Sequence, residues 1–212
     1  MEEEMERLLS IRKFKKRTQI LNAASSLFLK QGYTVSMDMI AKQAGVSKQT
    51  LYSHFCSKDK LFETCITEKC NHSGIDWELE ADLRTPDEVL RDFCWHFHCM
   101  LVDEEVMITV KNAIKYSSSH PEIARIYLEQ GPARTTNLLV SYIKQQIALG
   151  VFTKCDNPLY SATQILLMIH GRKVYWDFFG IDSGENERQQ REYINSCVDL
   201  FLRGVGYIKL SK

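Results

Sequence analysis

The sequence predicts an all-α protein in which a small basic helical module is followed by a larger acidic one. Three observations carry that expectation. Strand signals are scarce, apolar residues recur at helical spacing almost throughout, and caps and breakers punctuate the chain at short intervals. The 212 residues suit one large or two small domains with a sizeable buried core, so the fold needs no disulfide or metal staple.

A first helix is expected from about Leu8 to Gln31, with Ile20, Ala24, Leu27 and Phe28 along one stripe and the basic run Arg12 to Arg17 ahead of it. Gly32 can take positive φ and stops it. Ser36 caps a second helix, Met37 to Gln43, with Asp38 in its first turn and Met39, Ile40 and Ala44 facing inward. Gly45 ends that helix. Ser47 caps a third through Phe55, and Ser57 with Asp59 starts a fourth that carries Leu61, Phe62, Cys65 and Ile66. Thr85-Pro86-Asp87-Glu88 sets a hydroxyl cap, a proline at the first helical position and two acids in order, opening a helix to about Val102. Another is expected from about Glu104 to Ser118. The pattern that starts at Pro121 runs to Leu149, and Gly131-Pro132 predicts a kink or break within it, because proline removes a donor and clashes with the preceding turn. Asn157-Pro158 starts a helix to about Phe179, and a last one runs from about Asn186 to Gly204.

The net charge is zero, with 27 basic and 27 acidic residues, but the charges are segregated. Between Ile11 and Lys60 there are ten Lys or Arg against Asp38 and Asp59, a net +8, whereas Met1 to Ser10 carry −3 and the remainder −5. Only the small module is suited to a polyanion. The seven cysteines, an odd number without a C-x-x-C pair, read as reduced thiols in a cytoplasmic protein. Residues Met1 to Ser10 do not read as a secretory leader, and no apolar run approaches the roughly 18 residues of a membrane span.

The residues most telling of function lie in the third helix. The second and third helices, joined by Ala44-Gly45-Val46-Ser47, form a helix-turn-helix pattern. At roughly 100° per residue, Leu51 and Phe55 fall together on the inner side of the third helix. Lys48, Gln49, Tyr52 and Ser53 spread over the outer arc, with Thr50 and His54 flanking it. That is the arrangement of a helix that enters the major groove of DNA. Lysine can donate to guanine and glutamine can pair with adenine, while Thr50, Tyr52, His54 and Lys58 have donors for phosphates. The run Arg12 to Arg17 could reach the neighbouring backbone or minor groove.

Residues 33 to 62, YTVSMDMIAKQAGVSKQTLYSHFCSKDKLF, resemble the DNA-binding domain of the TetR family of bacterial transcriptional regulators. I-A-x-x-A-G-V-S, T-L-Y-x-H-F and K-[DE]-x-L occur in order and in register. The resemblance implies an N-terminal three-helix DNA-binding domain, residues 1–56, and a larger helical ligand-binding and dimerisation domain, residues 57–212. It places Lys48 and Gln49, with Ser53 beside them, at base-reading positions, and Ser36, Thr50, Tyr52, His54 and Lys58 at the DNA backbone. Gln49 departs from the small residue many members hold there, which bears on the operator sequence. Glu122 to Gly150, with L-E-Q-G-P-A-R inside it, resembles the C-terminal domain of AefR-like members.

The same resemblance implies a homodimer on double-stranded operator DNA, released by a small effector. The last two helices carry wide apolar stripes, including Ile165 and Ile169 on one and Ile194, Val198, Phe201 and Leu202 on the other, which the family architecture assigns to the dimer interface. Phe93, Phe97, Met100, Met107, Tyr116, Met168 and Trp176 suit an adaptable apolar effector pocket and suit an ordinary core at least as well, since these residue types are usually buried. Lys111, Arg134 and Arg172 are candidate counter-ions for an effector. The run Cys94-Trp95-His96-Phe97-His98-Cys99 groups four potential metal ligands, but on a helix only Cys94 and His98 share an i, i+4 face, so no metal or other cofactor is expected. An enzyme is disfavoured, since no G-x-S-x-G, H-E-x-x-H, P-loop or G-x-G-x-x-G occurs. An activator or a global regulator without an effector has the same sequence signature. An interaction module that has lost DNA binding would not need the intact Lys48, Thr50, Tyr52, His54 and Lys58.

Overall fold

The computed structural model describes residues 2–72 and 78–207. The described residues form ten α-helices: α1 (Glu2–Gln31), α2 (Met37–Gln43), α3 (Lys48–His54), α4 (Lys58–His72), α5 (Pro86–Leu101), α6 (Glu104–Tyr116), α7 (Pro121–Gln130), α8 (Pro132–Ala148), α9 (Pro158–Phe178) and α10 (Glu187–Gly204). Packing divides the chain into two compact units, one of Met1–His72 with Ile108–Gln130, the other of Ser73–Met107 with Gly131–Lys212.

In the first unit α1 begins at Glu2, six residues before the expected start, because Met1 to Ser10 contain good helix formers and put glutamates where the helix dipole favours them. Its inner stripe, Ile20, Ala24, Leu27 and Phe28, is buried. Gly32 turns the chain at φ +68°, and Tyr33 then packs edge-on against Phe62 of α4 with ring centroids 5.4 Å apart while its hydroxyl donates to Asp59. Ser36 Oγ accepts from the Met39 amide at 3.2 Å, as a cap should. The inner face of α2 is Met37, Ile40 and Ala41, while Met39, expected inward, is 43% exposed. The spacing i, i+3, i+4 from Met37 explains the difference, since Met39 lies off that stripe. Helices α4 and α7 and the latter part of α6 complete this core with Leu61, Phe62, Ile66, Ala113, Ile123 and Ile126.

The second unit is built on α5, α8, α9 and α10. Thr85 is the expected cap and also forms a capping box with Glu88, and Asn157 and Asn186 cap α9 and α10. Arg91 on α5 joins Asp87 at 2.7 Å and Asp199 of α10 at 2.5 Å. The pattern from Pro121 to Leu149 divides into two helices at Gly131, with Pro132 in the first turn of α8. Helix α9 is also broken, at Gly171, whose φ of 57° and ψ of −167° lie outside the helical region. The interrupted ladder is closed by side chains. Tyr193 donates to the Met168 carbonyl at 2.8 Å, His98 Nδ1 to the Ile169 carbonyl at 3.0 Å, and the Cys197 thiol approaches the Met168 carbonyl at 3.8 Å.

Candidate nucleic-acid interface

Seven residues are too few for a helix to hold itself in water, so α3 depends on what fixes it. Gly45, at φ +64°, completes the turn from α2, and the Val46 amide donates to the Ala41 carbonyl at 3.0 Å. Ser47 Oγ accepts from the Thr50 amide at 3.1 Å and lies 2.8 Å from Thr50 Oγ1. From below, Leu51 and Phe55 are 0% and 2% exposed and enter the core around Ile40 and Ala41. With both anchors inside, Lys48, Gln49, Tyr52 and Ser53 are exposed, and Thr50 and His54 are half-buried at the flanks.

Charge surrounds that arc. The Arg17 guanidinium lies 5.3 Å from the centre of the Phe55 ring, which brings the basic run of α1 to the end of α3. Burial, and then Lys13, Arg17 and Lys16, hold the His54 imidazole below its ordinary pKa. The Lys58 ammonium sits 4.1 Å from the centre of the Tyr33 ring, and partial burial lowers its pKa. Ser53 is exposed, and its Oγ donates to the Thr50 carbonyl at 2.8 Å. Lys48 Nζ is 2.7 Å from Asp38 Oδ1, a pairing across the two helices that the sequence did not announce, because Asp38 reads there as a first-turn acid.

In the second unit, Ile165, Ile169, Ile194, Val198, Phe201 and Leu202 are all buried in the core of the single chain. The same two helices expose Leu167, Tyr175, Tyr193 and Leu200. Phe93, Phe97 and Met107 are likewise core residues, with Met100 and Met168 packed against them and Trp176 half-buried beneath the Arg172 guanidinium. Lys111 is half-buried and Arg134 exposed. Tyr116 belongs to the first unit, where it lines a cavity of about 30 Å³ with Phe28, Tyr33, Cys65, Thr109 and Asn112. That volume holds a water molecule or two rather than an organic ligand.

Helix α5 separates the residues of the cysteine and histidine run. Cys94 and His98 face the core, while His96 and Cys99 are exposed. His98 is committed to the break in α9 through Nδ1, and its Nε2 lies 3.1 Å from Gln190 Oε1. Among the described residues no three His, Cys, Asp or Glu side chains gather as metal ligands. No helix of the described residues is long and apolar enough to cross a membrane.

Residues 20–65 match the bacterial regulatory proteins of the tetR family, and residues 88–204, more than half of the chain, match the AefR-like transcriptional repressor C-terminal domain. The chain superposes on the solved structure of the flavonoid-responsive regulator FrrA with a TM-score of 0.76 and 32% identity, covering 89% of this chain and 96% of that one. It is 27% identical over 201 residues to the HTH-type transcriptional regulator HbdR of Aromatoleum sp. (strain CIB), covering 93% of this chain and 85% of that protein. It is also 38% identical over 90 residues to the HTH-type transcriptional activator FasR of Mycolicibacterium smegmatis, covering 38% and 41%. These relatives are transcriptional regulators, not enzymes. With an anchored, outward-facing third helix beside a basic α1 and family matches at both ends, the chain belongs to the TetR family of bacterial DNA-binding transcriptional regulators.

Proposed function

We propose that the protein is a homodimeric repressor that binds a palindromic operator and is released by a small apolar or aromatic effector. The supporting observation is the arc of Lys48, Gln49, Tyr52 and Ser53, exposed because Leu51 and Phe55 are buried. In this reading residues 1–56 read DNA and residues 57–212 bind the effector and dimerise. Lys48, Gln49 and Ser53 face bases, while Ser36, Thr50, Tyr52, His54 and Lys58 hold the backbone. One such helix has little affinity alone, and half-sites roughly 34 to 36 Å apart need two readers at fixed spacing. Exposed Leu167, Tyr175, Tyr193 and Leu200 supply an apolar face for the second copy. An aromatic effector is supported by the Phe, Met and Trp content of the second unit and by the similarity to FrrA, whose name describes it as flavonoid-responsive. The working compartment is the cytoplasm, at the nucleoid.

Footprinting on the DNA upstream of the protein's own coding sequence tests this reading. The expected result is one protected palindrome whose two halves lie about one helical turn apart. No protection, even at low salt, overturns it. A second reading, transcriptional activation by the same DNA-bound dimer, is favoured by the match to the activator FasR. Run-off transcription from the protected promoter separates the two, since a repressor lowers the transcript and an activator raises it.

A further inference from the structure

Asp38 is an acid on a surface otherwise organised for a polyanion. It lies in the first turn of α2, its side chain is 66% exposed, and its carboxylate is 2.7 Å from the Lys48 ammonium, itself 59% exposed. Lys48 is the first residue of α3, the end that enters the groove in a helix-turn-helix. The pair therefore joins the two helices at the end of α3 that the proposed function turns toward bases. The hydrogen bond to Asp38 and then its charge hold the Lys48 pKa above the ordinary lysine value.

An unpaired lysine in that position is a mobile point charge that any phosphate can capture, and phosphate contacts carry no sequence information. A lysine tethered to a carboxylate has one of its three donors occupied and its stem directed. It loses little by donating to a guanine edge from where it stands, but must break the tether to reach a phosphate. The carboxylate also repels the DNA backbone, and that repulsion acts on every sequence equally.

We infer that Asp38 is a specificity-determining residue, which suppresses binding to unrelated DNA by holding Lys48 in its base-facing position. The inference rests on Lys48 contacting DNA. It reaches beyond that contact, because Asp38 contributes by what it prevents. An exposed ion pair is worth little in free solution, so the effect on each affinity is modest and the signature is the ratio between two DNAs.

The test compares wild-type protein with Asp38→Asn, Lys48→Ala and the double variant, each checked for a native helical spectrum and melting temperature. Two probes are used, a 30-bp duplex of random sequence and the duplex that wild-type protein enriches from a randomised pool. Affinities are measured from about 50 to 200 mM salt. In Asp38→Asn the random duplex is expected to bind about two- to fivefold more tightly, with a log–log salt slope steeper by about 0.9, the signature of one further neutralised phosphate. The enriched duplex is expected to gain less, so the specificity ratio falls. With Lys48 already alanine, Asp38→Asn should leave the ratio unchanged. An unchanged or increased ratio in Asp38→Asn, or a full effect persisting without Lys48, overturns the inference. If Lys48→Ala alone alters neither probe, the base-reading role of Lys48 fails first and the inference falls with it.

Discussion

Gly32 and Tyr116 are in such close contact that a Cβ on the glycine would lie 2.5 Å from the tyrosine Cε2 and 2.8 Å from its hydroxyl oxygen. Gly32 also has a φ of +68°, where a side chain is strained. Two penalties therefore fall on Gly32→Ala, roughly 1 kcal/mol for the backbone and a similar or larger one for displacing the ring, about 2–3 kcal/mol in all. Denaturant unfolding of Gly32→Ala in wild-type and Tyr116→Ala backgrounds checks the division. The substitution should cost clearly less where the ring is absent, and equal costs would show that strain alone is responsible.

Helix α3 allows stability and the proposed DNA reading to be separated. Leu51→Ala opens a void beneath a seven-residue helix and should cost about 2–5 kcal/mol, with DNA binding lost through unfolding of α3. Gln49→Ala removes an exposed side chain and should change stability by less than about 0.5 kcal/mol. Its effect should appear instead as relaxed preference at one operator position, by about 1–3 kcal/mol for that base pair. Competition binding with operators substituted one base pair at a time measures it, and uniform weakening on every operator would assign Gln49 to the backbone.

Local chemistry explains why much of this was legible and some was not. The caps at Ser36, Ser47, Thr85, Asn157 and Asn186 act within four residues of themselves, so their helices start where sequence spacing places them. The inner and outer faces of α3 follow from periodicity alone. The break in α9 was not legible, because a glycine inside an apolar run becomes a hinge only when distant groups close the opened ladder, and Tyr193 and His98 lie more than 20 residues from it. The Lys48–Asp38 pair was hidden for a similar reason, since it depends on how two helices are oriented across a turn. The apolar stripes of α9 and α10 announced burial correctly, yet a stripe does not say whether its burial is within one chain or against a second. The fold separates the two sets, with Ile165 and Val198 buried within the chain and Leu167 and Leu200 exposed on the same helices.

His54 makes a prediction about pH. Burial and the cations Lys13, Arg17 and Lys16 lower its pKa, so the folded protein holds a neutral imidazole at pH 7. For the free protein the sign follows from proton binding. Below the unfolded value near 6.5 the unfolded chain takes up a proton that the folded chain resists, so stability falls as pH drops through that value until the folded pKa is reached. In the proposed DNA complex a phosphate beside the ring would reverse the local field and favour the charged form. Lowering pH from about 7.5 to 6 should therefore tighten DNA binding by roughly two- to fivefold at low salt. His54→Gln should remove that pH dependence. A dependence that survives the substitution would place the titrating group elsewhere.

The outer faces of α9 and α10 give the last prediction. Leu167 is 63% exposed and Leu200 55% exposed, whereas Ile165, Ile169, Ile194 and Val198 on the same helices are at most 1% exposed. Charging an exposed leucine leaves the interior of the chain intact, so Leu167→Glu with Leu200→Glu should alter the helical spectrum little. The same change places two carboxylates per copy on the proposed pairing face, where both copies must desolvate them against like charge. Sedimentation should then show a monomer at concentrations where the parent protein is a dimer. Operator affinity should fall by more than tenfold with it, because two half-sites would have to be filled by independent copies. Ile194→Ala supplies the contrast. It opens a cavity inside one chain, so it should lower stability by about 2–5 kcal/mol. At temperatures where it remains folded, it should still sediment as a dimer. A dimer that tolerates both glutamates would move the pairing surface away from these two helices.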